Sequence, residues 1–157
     1  MYGGRKIMKK PLLYLAVFLT VAMVMRCAST KQFVPFPDQS KRIENPEMAR
    51  IYVVRPTSFG SAILMDIKDG EKLIGKTGPK GYLCWEREPG ETDIVGKAEN
   101  TSTLPIILEK GLVYYIKQQV QMGIVVARNK LHLLTESEGK EEVAKCKPPA
   151  VEIKKQE

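Results

Sequence analysis

Between positions 49 and 135, glycine and proline break the chain at intervals of about 8–12 residues. The runs between the breaks are short and rich in β-branched and aromatic side chains. This punctuation leaves no room for long helices and constrains the body to strands. Residues 50–55 (RIYVVR) stop at Pro56, and residues 62–68 and 72–76 flank Asp69 and Gly70. Asp and Gly both tolerate positive φ, so that dipeptide predicts a tight hairpin. Further strands are predicted over 82–87, 92–98, 103–109, 112–120 and 128–135. Pro105 lacks an amide donor and places its strand at a sheet edge or strand start. The expected fold is all-β: a small antiparallel β-sandwich of about 7–8 strands. Residues 137–147 carry Glu138, Glu141 and Glu142 early and Lys145 and Lys147 late, before Pro148 and Pro149. That order complements a helix dipole and then stops the helix, which predicts one short C-terminal helix. Residues 148–157 read as a mobile tail.

The N-terminal portion has a different character. Lys9 and Lys10 precede an uncharged apolar run over 11–25. A helix needs roughly 20 residues to cross a bilayer, so this run is short for a permanent span and fits the apolar region of an export signal. A signal helix is therefore expected within 1–27, with Met8 as a second candidate start. Cys27 follows the run directly, in the position of a lipid-modified cysteine, but Arg26 stands where lipoprotein signals carry a small residue. Cleavage after Ser29 and retention of an uncleaved anchor are the alternatives. Residues 28–47 are polar, contain Pro35, Pro37 and Pro46, and lack periodicity, so they read as a tether to a domain over 48–147.

Charge supports export rather than nucleic-acid binding. The net charge is +7, but five of the 25 basic residues lie in the first 27 positions, where there is no acid. The remainder, 20 bases against 18 acids, has no phosphate-neutralising excess. The partner this predicts is the membrane, reached through an N-terminal lipid or the signal segment.

Residue types for catalysis are sparse. His132 is the sole histidine, and no second His or Cys stands at ligand spacing, so neither a metal nor a cofactor is expected. The stretch Gly75, Lys76, Thr77, Gly78 lacks the first glycine of a phosphate-binding loop. Glu86, Glu88 and Glu91 read as solvated acids beside a turn, and no catalytic residue is assigned. Alternation puts Leu83 and Trp85 on one face of their strand and Tyr82, Cys84 and Glu86 on the other. With Leu83 and Trp85 inward, Cys84 looks out toward the face that the C-terminal helix must cover. A Cys84–Cys146 disulfide is predicted there for an oxidising compartment, closing a loop of about 60 residues and stabilising by about 2–4 kcal/mol. Tyr52, Tyr82, Trp85, Tyr114 and Tyr115 are expected in the core or at its rim. Met122, Ile124, Val125 and Val126 form an apolar stretch among polar neighbours, read either as an exposed contact surface or as a continuing β-ribbon.

The order and spacing of ARIYVVRP (49–56), DGEKLIGKTGPKGYLCWEREPGE (69–91), LEKGLVYYIKQ (108–118) and LTESEGKEEVAKC (134–146) resemble a family of short bacterial lipoproteins catalogued as a domain of unknown function. They are also similar to PEGA-type surface domains. The resemblance implies a small β-sandwich, export and a lipid anchor, with no catalytic residues, and Arg26 is the departure from its pattern. The expected protein is a non-catalytic envelope module, anchored to a membrane, that binds another envelope protein or a surface polymer or serves a structural role. The alternatives are a soluble periplasmic or secreted factor and a small envelope enzyme or thiol redox protein.

Overall fold

Strand β2 (Ala49–Arg55) is buried at every position, on both of its faces, and the rest of the chain is arranged around it. The computed structural model describes residues 28–124 and 127–153. The signal segment, Cys27, Val125, Val126 and residues 154–157 lie outside the described residues. The elements in chain order are β1 (Lys31–Gln32), β2, β3 (Met65–Asp69), β4 (Lys72–Thr77), β5 (Gly81–Arg87), β6 (Gly90–Lys97), β7 (Thr101–Leu108), β8 (Val113–Met122), β9 (Ala127–Leu134), helix α1 (Glu136–Ala144) and β10 (Ala150–Val151). They form a six-stranded sheet, β10-β1-β4-β3-β6-β7, and a four-stranded sheet, β5-β2-β8-β9. The pairing is antiparallel except between β2 and β8 and between β1 and β10.

The two sheets enclose the main core, where Ile51, Val53, Leu83, Trp85 and Ile116 meet Ile67, Ile74 and Ile94. The alternate residues of the four-stranded sheet, Tyr52, Val54, Tyr82, Cys84 and Tyr115, form a second core on its outer face, with Phe36, Val143 and Cys146 packed against them. Tyr52 and Tyr115 stack there at 5.1 Å. The molecule is thus a sandwich with a third layer made of α1 and the N-terminal segment, and the two cores together account for the burial of both faces of β2. Helix α1 begins with a capping box between Thr135 and Glu138 and lies flat on the sheet because residue 139 is glycine. A Cβ at that position would stand 2.1 Å from Cγ of Tyr115.

The all-β reading and the positions of the eight long strands agree with the sequence analysis. Four corrections follow. First, there are ten strands among the described residues. Second, the expected tether is part of the fold from its beginning. Thr30, Gln32 and Val34 are buried, and β1 pairs with both β4 and β10. This segment fits closely against glycines: a Cβ on Gly75, Gly78 or Gly81 would lie 2.3, 2.3 or 1.8 Å from atoms of Lys31, Ala28 or Thr30. Third, Ala150 and Val151, expected in a mobile tail, form β10 on that same strand. Fourth, β3 starts at Met65 instead of residue 62, because the buried Arg55 guanidinium draws the preceding loop inward, donating to the carbonyls of Phe59, Gly60 and Ile63 at 2.7–3.1 Å.

Both edges of the four-stranded sheet are closed by amide side chains. On β5, Gln32 Nε2 donates to the Cys84 carbonyl at 2.7 Å, and the Cys84 N–H donates to Gln32 Oε1 at 3.0 Å. On β9, Asn100 Nδ2 donates to the Asn129 carbonyl at 2.9 Å, and the Asn129 N–H donates to Asn100 Oδ1 at 2.8 Å. Each amide imitates one residue of a neighbouring strand and so occupies the edge at Cys84 and at Asn129.

Candidate functional site

A cleft of about 660 Å³ opens at the end of the sandwich where β3 and β5 finish. Its apolar wall comes from Val34, Phe36 and Pro37 of the N-terminal segment together with Ile74 and Trp85. Trp85 is placed by its alternation with Cys84 and fixed by Asp69, whose carboxylate accepts from Trp85 Nε1 at 2.9 Å. The same carboxylate accepts from Arg87 Nη1 at 2.5 Å and Thr92 Oγ1 at 2.6 Å. Across the cleft, Glu86 is paired with the fully buried Arg50 at 2.7 Å and accepts the amides of Glu44 and Asn45 at 2.7 and 3.2 Å. Arg50 also donates to the carbonyls of Lys41 and Asp38. These two carboxylates are therefore occupied in holding Trp85 and the N-terminal segment in place. Lys72 and Glu88 stand exposed on the rim. The arrangement offers an apolar recess with charged lips.

The other residues singled out from the sequence lie elsewhere. Cys84 is fully buried in the second core, and burial pushes its thiol up to about 11. Cys146 is half-buried at the end of α1, and burial likewise pushes its thiol up to about 11. The expected Cys84–Cys146 bond is not formed, and both thiols are free. Register accounts for this: Lys147 bridges Gly81, three residues along β5 from Cys84, so the cysteines stand at different heights, about 10 Å apart at ~3.3 Å per residue. His132 lies on β9 with Nε2 2.9 Å from Gln119 Oε1. Among the described residues no three His, Cys, Asp or Glu side chains converge as a metal site would need. Met122 ends β8 and is 81% exposed, and Ile124 is 90% exposed. Cys27, Val125 and Val126 lie outside the described residues.

Sequence reasoning missed Gln32, Arg50 and Asp69. Arg50 and Arg55 bracket an apolar strand as though they were solvated end residues, yet both are fully buried. Most of their partners are carbonyls of irregular loops, which carry no periodicity to read, and the others, Glu86 and Thr77, lie on distant strands. Trp85 was found, but its role as a cleft wall depends on residues 34–37, which were read as a linker.

A protein-family comparison matches residues 45–130, from the turn before β2 to the middle of β9, to the family described as "Protein of unknown function (DUF2846)". An uncharacterized protein of Haemophilus influenzae is 27% identical over 141 residues, which cover 87% of this chain and 84% of that protein. The match takes in more than half of the chain and all of strands β2 to β8, and the chain accordingly belongs to the DUF2846 family.

Proposed function

We propose that this protein is an exported, membrane-held binding module of the bacterial cell envelope, without catalytic activity, that receives part of another envelope protein or a surface polymer in the cleft beside Trp85. The observation that carries this reading is the cleft itself. Its wall is apolar, and its carboxylates Asp69 and Glu86 are committed to structural hydrogen bonds. Such a recess with a few fixed polar groups suits binding. The N-terminal apolar run supports export, and cleavage before Cys27 or after Ser29 would leave Thr30, the first buried side chain among the described residues, in place. A thiol redox role has less support, since reactive cysteines carry lowered pKa values in electropositive, accessible sites, whereas Cys84 is buried, Cys146 half-buried, and both thiols are raised.

Two measurements test the proposal. Intact mass of the protein from detergent-extracted envelopes is expected to match a chain beginning at Cys27 with acyl groups, or one retaining the apolar run. A chain beginning near Thr30 in the soluble fraction would favour the diffusible alternative. A photo-crosslinking side chain placed at Lys72 is expected to give a discrete adduct in native envelopes, while one at Thr103 on the far edge gives none. Equal labelling from both positions would overturn the cleft as the binding site.

A further inference from the structure

The opposite end of the sandwich, where β2, β4, β6 and β8 finish, carries the β8–β9 hairpin, although Ile107 and Leu112 are exposed at the cleft end as well. Ala28 lies at this opposite end: β1 runs antiparallel to β4, which sets Ala28 against Gly78 just past the last residue of β4. Three apolar side chains stand out into solvent here, with Phe59 49%, Met122 81% and Ile124 90% exposed. Lys117 of β8 pairs with Val54, so Met122 lies four residues beyond the level of Arg55. The β8–β9 hairpin therefore projects about 13 Å past β2, at ~3.3 Å per residue. Gly60 packs against Val120 and Ala127, which places the Phe59 loop beside that hairpin. The Glu99 carboxylate accepts the Ile124 N–H at 3.2 Å and steadies the tip.

Charge follows the same axis. Lys80, Lys97, Arg128 and Lys147 are exposed at the hairpin end. Of the acids there, Asp66 meets Lys76 at 3.0 Å, Glu99 accepts from Ile124 and Glu142 meets Lys117 at 2.9 Å, while Glu141 is exposed. At the cleft end the exposed acids Glu44, Glu71, Glu88 and Glu91 stand among the exposed cations Arg42, Lys72 and Lys110, so the cation excess is confined to the hairpin end. Projecting apolar side chains ringed by cations match a surface that lies on anionic lipid, where the apolar groups enter the acyl boundary and the cations meet headgroup phosphates. A second copy of the chain fits less well, because a two-fold contact through this end would set its four cations against their own copies. Only two residues, Arg26 and Cys27, separate the apolar run over 11–25 from Ala28.

We propose that the end carrying Phe59, Met122 and Ile124 docks on the anionic bilayer to which the chain is attached, turning the Trp85 cleft away from the membrane. This inference rests on the membrane-held reading and adds an orientation to it. The test uses the full chain reconstituted with vesicles of mixed phosphatidylglycerol and phosphatidylethanolamine. Ile124→Trp and Ile107→Trp variants are compared, Ile107 being exposed on β7 near the cleft end. With acyl-brominated lipid in the vesicles, the Trp at 124 is expected to lose most of its emission and the Trp at 107 to keep it, with Trp85 of the unaltered chain as background. Vesicles of phosphatidylcholine alone, or Lys80→Glu with Lys147→Glu, are expected to restore part of the emission at 124. Flotation with the vesicles but no quenching at 124 would overturn the inference and leave the membrane-held reading standing, as would a change at 124 that depends on protein concentration and not on bromination. Failure to float would overturn both.

Discussion

Individual side chains set the tolerance of this fold to substitution. Gln32 satisfies both peptide groups of Cys84 from 52 residues away. Gln32→Ala leaves a buried N–H and a buried C=O without partners, and each orphaned group costs about 1–3 kcal/mol. Urea unfolding is expected to show that loss, and Asn100→Ala a comparable one on β9. An unchanged midpoint for Gln32→Ala would mean that water or a shifted strand takes over the edge. The cysteines give a second prediction. Their thiols titrate near 11, so at pH 8 both are overwhelmingly protonated as well as shielded. Alkylation of the native protein is expected to be slow at Cys84 and to reach the rate of a free thiol only after denaturation; fast native labelling of Cys84 would contradict its placement. None of this was legible in the sequence. A buried glutamine or arginine looks like a surface residue until its partner is known, and the partners of Gln32 and Arg50, Cys84 and Glu86 on β5, stand 52 and 36 residues away. The parity of Leu83, Cys84 and Trp85 was legible, because two-residue alternation is a local property of a strand.

At the scale of elements, the eight long strands could be read because glycine and proline bound each one. The two-residue strands β1 and β10 could not, since two residues carry no alternation and their pairing depends on glycines 75, 78 and 81 making room. Helix α1 was read from its charge order, and its docking can be tested directly. Gly139→Ala puts a methyl group into the Tyr115 ring, and overpacking of this kind costs about 1–3 kcal/mol. The expected result is reduced stability with the sandwich core intact, measured as faster hydrogen exchange confined to residues 136–144 and the second core. The Lys117–Glu142 contact, at 2.9 Å, gives the docking a pH dependence. The hydrogen bond from Lys117 holds the Glu142 carboxyl below the ordinary carboxylate range. A lowered folded-state value means this contribution is fully present above the ordinary value and is lost as pH falls through the lowered one. Glu142→Gln is expected to flatten the acid limb of the stability profile by up to about 1 kcal/mol, and to leave neutral-pH unfolding otherwise two-state.

For the whole molecule, the all-β architecture followed from punctuation and the helix over the Cys84 face from the parity of β5, whereas the N-terminal segment's share of the third layer did not. The sequence suggested one core between two sheets. The aromatic side chains on the outer face of β2, β5 and β8 needed a cover, and the segment read as a tether supplies part of it. This matters for the proposed function, because that segment also forms one wall of the cleft. Shortening it is expected to abolish the Lys72 adduct and to lower stability together, while an insertion ahead of Ala28 should leave both unchanged. The pairing of β1 with β4 and β10 has a mechanical consequence. A pull on residue 28 runs along the axis of β1, so the bonds on both of its sides are loaded in shear and share the force instead of opening one after another. The Gln32 amide sits crosswise to that pull like a pin. A domain tugged from its N-terminal side would therefore hold its shape until β1 slides as a unit, and force spectroscopy from that end should show one high rupture peak where a pull across the β8–β9 hairpin unzips gradually.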